Sequence, residues 1–429
     1  MEKLLKIAAE AVDQAEVFYF DDTSDTVSFN DAKLDKANTS MSAGLALRVI
    51  KNGKMGLAHT RNLLDPKALL KQAIQSAENG TEVNFRLPLT KDVPEVTMYD
   101  AEIEKVNKND LIAEGRRIID YISAKTDGQI DLGFDYSIAH SGIMNSAGTS
   151  LSAKSSEFSI FAMMIFPGTG SGLFKFNLGK KFTQIDRAEL DNLIELYILS
   201  KQQVVPDTAK MPVILAPTAL HALLSRFFTA ASPINMHNKV SPLCGRLGEQ
   251  IVSDKFSLWQ DPFDTEMISA TSFDSEGTPT KKFAYIDKGI FTAFPTDLNY
   301  AEKLGIAPTG NGFRGSVEAL PAAQAFNYSI NAGSKSLKEM ISGIEKGILA
   351  HSLMGAHSGN VLNGDYSVGV ATGFYIENGV IKGRVKDCMI SGNAYDTLSH
   401  IVDIENKLHN MGSSKLPSIM FDGVSVAGK

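Results

Sequence analysis

A chain of 429 residues, 43% hydrophobic and 21% charged, has the make-up of a soluble globular protein too long for one ordinary core; ~150 residues per domain implies two or three. A net charge of -7, with no Lys/Arg cluster beyond a pair such as Lys180-Lys181, excludes the basic stripe that duplex binding requires. No apolar run approaches the ~20 residues of a membrane helix. Met1-Glu2-Lys3 opens into an amphipathic helix rather than a secretory leader. The two cysteines, Cys244 and Cys388, are far apart and in no metal-like spacing, which points to a reducing cytoplasm.

Glu2 to Gln14 reads as a helix, followed by two strands, AEVFYF and DTVSFND. MSAGLALRVI and MGLAHT flank Asn52-Gly53, the positive-φ pair of a tight hairpin. Asp65-Pro66 starts a helix that runs to about Glu78, with Asp as N-cap and Pro at the first helical position. The proline-bearing stretch TEVNFRLPLTKDVPEV marks a first boundary. A third helix is expected to be capped by Asn109 or Asp110 and to bury Leu111, Ile118 and Ile122.

Ile130 to Phe176 is β-rich, with turns expected at Ser141-Gly142, Ala147-Gly148 and Gly168-Thr169-Gly170, and SSEFSIFAMMIF reads as a long strand partly buried on both faces. A helix from Arg187 to about Gln202 precedes a second boundary at VVPDTAKMP. Beyond it come strand PVILA and a helix whose Leu220, Leu223, Leu224, Phe227 and Phe228 form a buried face. Later elements are a hairpin at Asp287-Lys288-Gly289, a strand AFNYSINAG and a short helix stopped by Gly347. A glycine-interrupted strand pair turns at Glu377-Asn378-Gly379, followed by a helix NAYDTLSHIVDIENKL and a strand SIMFDGVSVAG. Helix-then-meander order without βαβ alternation gives an α+β fold: mainly antiparallel sheets with flanking helices, in two to three subdomains. The divisions are 1–90, 91–205 and a larger, β-rich 206–429.

Loop-borne polar side chains held by a sheet are a usual binding face. Asp274, Glu276, Asn311 and Arg314 stand around the 283–291 hairpin in such loops, and with His357 they are the expected binding residues. Gly310 to Gly315 matches a dinucleotide fingerprint by letter, but Pro308-Thr309 stands where a strand should end, so a turn presenting Asn311 and Arg314 is the better account.

LGEQIVSD, SFDSEGTPT, IDKGIF and PTGNGFRG, in this order, resemble the second half of the TldD/PmbA family, once named for modulation of DNA gyrase. AEVFYF and GLALRVIKNGKMG fit its N-terminal block. The resemblance implies a zinc site on a His-Glu-x-x-x-His helix plus a late cysteine in the TldD branch. The matching helix here, HALLSRFFTAAS, has His221 at the first position, Ala222 at the glutamate and Arg226 at the second histidine, and no cysteine stands in the tail. Ala222 cannot act as a base and a guanidinium repels a cation.

This places the chain in the PmbA/TldE branch, with no catalytic residue, metal ligand or cofactor of its own. The resemblance implies a cytoplasmic heterodimer with a zinc-bearing TldD-type subunit, a homodimer when alone, and unfolded peptide as substrate, with no direct nucleic-acid or membrane contact. Strand DYSVGVATGFYI is expected to accept an extended peptide as an added strand. The rival readings are a stand-alone hydrolase using Asp274, Glu276 and His357, and a gyrase-interacting protein without turnover.

Overall fold

The computed structural model describes residues 1–62 and 64–428. Its first half is one six-stranded antiparallel sheet. Helix α1 (Glu2–Ala9) leads into β1 (Gln14–Asn30), β2 (Lys33–Lys51) and β3 (Lys54–Thr60), then α2 (Pro66–Glu78). After an extended stretch come α3 (Lys108–Ser123), β4 (Gln129–Asn145), β5 (Ser150–Ile165), β6 (Gly172–Gly179) and α4 (Arg187–Ser200). The strand order is β3-β2-β1-β4-β5-β6, so β1 pairs with β4 across the boundary expected near residue 90.

Local chemistry explains the well-placed elements. Asn52 and Gly53 take φ of 51° and 73°, the geometry of the hairpin turn between β2 and β3. The Asp65 carboxylate accepts from the amides of Lys67 at 2.9 Å and Ala68 at 3.0 Å, fixing the start of α2.

Other expectations need correction. AEVFYF and DTVSFND are one continuous strand, and α1 ends at Ala9 because Gln14 already belongs to it. The cap of α3 is Asn107, which forms a capping box with Asp110. No turn occurs at Ser141-Gly142. Gly142 lies opposite Tyr19 within β4, where a Cβ would come within 2.3 Å of that ring. In β5, Ser159, Phe161, Met163 and Ile165 are half-buried, so the strand is partly covered on both faces as read, most fully on the face of Phe158, Ile160, Ala162 and Met164. That face packs against α3 and α4 through Leu111, Ile118, Ile122, Leu190 and Ile194.

The second half carries strands 346–354, 209–215, 419–427, 389–393 and 365–377 in consecutive pairing. Strand 346–354 pairs again with 365–377, closing a ring of five strands. Helix α5 (Pro217–Ala230) packs into this half through Leu220, Leu223, Leu224 and Phe227, the face read from the sequence. A second sheet of short strands includes 258–260, 283–287 and 328–330, and the hairpin at Lys288-Gly289 lies on its edge.

The helix expected at NAYDTLSHIVDIENKL is confined to Ala394–Ser399, and strand Ile401–Ile404 follows, as its β-branched residues favour. The helix before Gly347 ends at Gly343, and Gly347 sits in strand Lys346–Met354, where a Cβ would meet the Pro212 carbonyl oxygen at 2.6 Å. Strand Asp365–Glu377, expected to accept a peptide strand, is already paired along most of both edges. Strand 346–354 pairs with its residues 369–377 on one side, and 389–393 and 380–385 pair with 365–369 and 374–377 on the other, which leaves only 365–368 open on the first side.

Candidate functional site

The SFDSEGTPT loop is folded by its own first carboxylate. Asp274 Oδ1 accepts from the amides of Glu276 and Thr278, both at 2.9 Å, and Oδ2 from the Gly312 amide at 2.8 Å. Gly277 turns the loop at φ +76°. Gly312 lets the two motifs close on each other, because a Cβ there would lie 2.3 Å from Glu276 Oε2. Burial and the neighbouring Glu276 push the Asp274 carboxyl well up, against the pull of those three amides.

Glu276 reaches out of this loop to the other half of the protein. Its Oε1 accepts from Arg48 Nη1 of β2 at 2.8 Å and its Oε2 from the Leu298 amide at 2.7 Å. Arg48 also donates to Glu16 of β1, and Glu16 in turn accepts from Arg314 Nη2 at 2.7 Å. Arg314 Nη1 donates to the Ala319 carbonyl at 2.6 Å. None of these four side chains is more than 3% exposed. Arg48 lies over the Phe85 ring and Arg314 over Phe18, so aromatic faces cover the guanidinium planes.

Two acids and two guanidiniums thus form a chain of ion pairs across the seam between the N-terminal sheet and the C-terminal half. Burial raises the Glu276 carboxyl, with Arg48 opposing. Asp297 lies near; burial raises it too, while the amides of Tyr300 and Ala323 hold its carboxylate.

Asn311 belongs to a neighbouring buried network. Its Nδ2 donates to Gln260 Oε1 and to the Gln324 carbonyl, both at 2.7 Å, and Tyr285 donates its hydroxyl to the same Gln260 oxygen at 2.5 Å. The fold thus brings close together the four loop residues singled out from the sequence. Their side chains are buried: Glu276 and Arg314 bond across the seam to Arg48 and Glu16, while Asp274 and Asn311 bond to groups within the C-terminal half.

The missed members are Glu16, Arg48, Gln260 and Asp297. Glu16 within AEVFYF and Arg48 within GLALRVI did carry a signal. A charge inside an apolar strand needs a buried partner.

His357 stands apart, exposed in the loop after strand 346–354. No hydrogen bond links it to Asp274 or Glu276, whose carboxylates are bonded to other groups of the chain.

The α5 helix holds the positions where the resemblance would put zinc ligands. His221 Nδ1 lies 3.3 Å from the Tyr328 hydroxyl, and burial lowers the affinity of its ring for a proton. Ala222 is buried. Arg226 is fully buried and acts as a backbone brace: Nε donates to the Asp365 carbonyl at 2.8 Å, Nη1 to Ala222 at 2.6 Å and Nη2 to Ser358 at 2.9 Å. The position where the resemblance asks for a second imidazole is therefore filled by a cation that stitches the 358–365 loop to α5. These residues do not fit a zinc ion. Among the described residues no three His, Cys, Asp or Glu side chains gather as ligands. Beside α5, Ser225, Phe228, Thr229 and Ser232 face Pro295, Ala323, Gln324 and Ala325 across a shallow cleft of about 330 Å³.

Comparison with known proteins agrees with this fold. Residues 208–428 match the PmbA/TldA metallopeptidase C-terminal domain and residues 15–78 match PmbA/TldA metallopeptidase domain 1. An uncharacterized protein of Methanocaldococcus jannaschii is 25% identical over 99% of both chains. The Metalloprotease PmbA homolog of Haemophilus influenzae is 23% identical over 99% of this chain and 94% of its own. The crystal structure of TldE from Thermococcus kodakarensis superposes with a TM-score of 0.93 over all of both chains at 24% identity. With the C-terminal family domain spanning more than half of its length, this chain belongs to the PmbA/TldD metallopeptidase family and fits its PmbA/TldE type.

Proposed function

We propose that this chain is the non-catalytic subunit of a TldD-type zinc metallopeptidase, pairing with a metal-bearing partner subunit in the cytoplasm, with itself when alone, and helping to enclose unfolded peptide. The observation that carries the reading is Arg226, whose buried guanidinium is committed to three carbonyl oxygens on the helix face where a metal-binding relative needs an imidazole. Ala222 beside it has no carboxylate to take a proton from water. Zinc and the hydrolytic step then belong to the partner, and this chain contributes binding surface.

Reconstitution tests this directly. Purified alone, the protein is expected to leave an unfolded substrate such as reduced, carboxymethylated lysozyme intact. Mixed with a TldD-type subunit it is expected to raise cleavage that chelator abolishes. Chelator-sensitive cleavage by the isolated chain would overturn the assignment.

A further inference from the structure

The N-terminal sheet has an unfinished edge. β3 pairs with β2 only from Leu45 to Lys51, and it ends at Thr60 opposite Leu45. β2 itself continues outward for another eleven residues, Lys33 to Ala43, all of them exposed and paired on one side only, to β1.

The direction of the backbone groups on that edge follows from the hairpin. Lys51 and Lys54 flank a two-residue turn and so exchange both main-chain hydrogen bonds. Alternation then aims the amide and carbonyl of every odd-numbered residue of β2 toward the β3 side. The opposite end agrees: Asn30 and Lys33 flank the other turn, and the register shift at Ser28/Phe29 brings the odd residues into the same outward phase. Ala37, Thr39 and Met41 therefore present three successive amide–carbonyl pairs outward, and among the described residues none has a main-chain partner.

Natural edges are usually blunted by charge, proline or a bulge. Lys33, Asp35 and Lys36 guard the tip, but Ala37 to Ala43 holds neither charge nor proline, and the ladder's only register shift lies nearer the tip.

We propose that the outer edge of β2 over Ala37–Met41 binds an extended peptide segment as an added strand, collinear with β3. This deepens the peptide-binding reading above and rests on it for the class of ligand. Two observations favour a peptide over a second copy of the chain. The slot is a strip ~17 Å long and one strand, ~5 Å, wide, far short of the ~800 Å² per partner that a stable association buries. Its side chains are mostly small (Ala37, Asn38, Ser40, Ser42, Ala43), so the ligand's backbone is read and its side chains are not selected. The inner end of the slot abuts Gly44, against which Val317 of the C-terminal half packs, so a bound strand runs toward the seam between the halves.

The test uses the whole protein and fluorescein-labelled oxidised insulin B chain followed by anisotropy. Met41→Pro removes one outward amide at an exposed side chain, and Ala37→Pro removes another. Each is expected to weaken binding more than ten-fold with the melting temperature unchanged, whereas Met41→Ala stays within two-fold. In the native protein, saturating B chain is expected to slow amide exchange at Ala37, Thr39 and Met41, a measurement that stands even if a proline variant misfolds. Binding that survives both proline changes without protection of these amides sinks the edge site and leaves the peptide reading intact. Absence of any B-chain binding sinks both. A shift in sedimentation on Met41→Pro, with binding unaltered, makes the edge a contact between copies and overturns the proposal.

Discussion

Arg48 and Glu276 are 228 residues apart in the chain and 2.8 Å apart in the fold, and between them they carry the N-terminal sheet onto the C-terminal half. The contact is buried on both sides, and Arg48 is further held by Glu16. Coulombic attraction from those two acids holds the Arg48 proton more firmly despite the cost of burial.

Cutting one member should be costly. Arg48→Ala leaves Glu16 and Glu276 buried without their shared cation, and removing one partner of a buried pair typically costs ~3–5 kcal/mol. Urea unfolding is expected to show a loss of that size, and a cycle with Glu276→Ala a coupling of roughly 0.5–3 kcal/mol. A loss below ~1 kcal/mol would mean that the seam is held by apolar packing alone.

Arg226→Met keeps the bulk of the α5 side chain and deletes the three carbonyl contacts. Stability is expected to fall by about 2–3 kcal/mol, the cost of leaving buried acceptors unmet. Amide exchange should accelerate in the 355–365 loop before it does elsewhere, since Ser358 and Asp365 are the residues released.

Burial, with Lys175 nearby, pushes the His351 imidazole down to about 4. A group depressed in the folded state is protonated first in the unfolded chain, so its contribution is present above pH 6.5 and is lost as the pH falls toward 4. The full effect is on the order of 3 kcal/mol. Buried Asp274, Glu276 and Asp297 are shifted upward and act in the opposite sense as acid is added, so the histidine effect is read by difference. His351→Phe, which removes a ring whose buried Nδ1 has no hydrogen-bond partner, is expected to flatten the fall in stability between pH 7 and pH 5 relative to the native protein.

The two thiols should respond differently to a thiol reagent at pH 8. Burial pushes Cys388 up to about 11 and leaves it 5% exposed, while Cys244 is half-buried. Native protein is expected to lose one thiol readily, at Cys244, and the second only on denaturation. Peptide mapping of the modified protein identifies which.

Elements governed by neighbouring residues were legible in the sequence. Asn52-Gly53 and Asp65-Pro66 act within a few positions, and the structure has both as read. Long-range relationships were not. Nothing local at Glu16 names Arg314 as its partner, and nothing at Ser141-Gly142 separates a turn from a strand making room for Tyr19. The DSEG and GNGFRG motifs were rightly singled out as belonging together, since Gly312 donates to Asp274. Their burial was not legible, because turn-forming residues around a sheet look alike whether they face water or a second layer of protein.

The distance along the chain between Arg48 and Glu276 also sets a delay during synthesis. At ~5–20 residues per second, a ribosome needs roughly 10 to 45 seconds to add the intervening stretch. Throughout that interval the newly emerged β1–β2 pair displays Glu16 and Arg48 to water, with an unsealed flank that other nascent chains could meet. A helper protein that shields this flank until the second half arrives would raise the yield of folded product without altering its final stability.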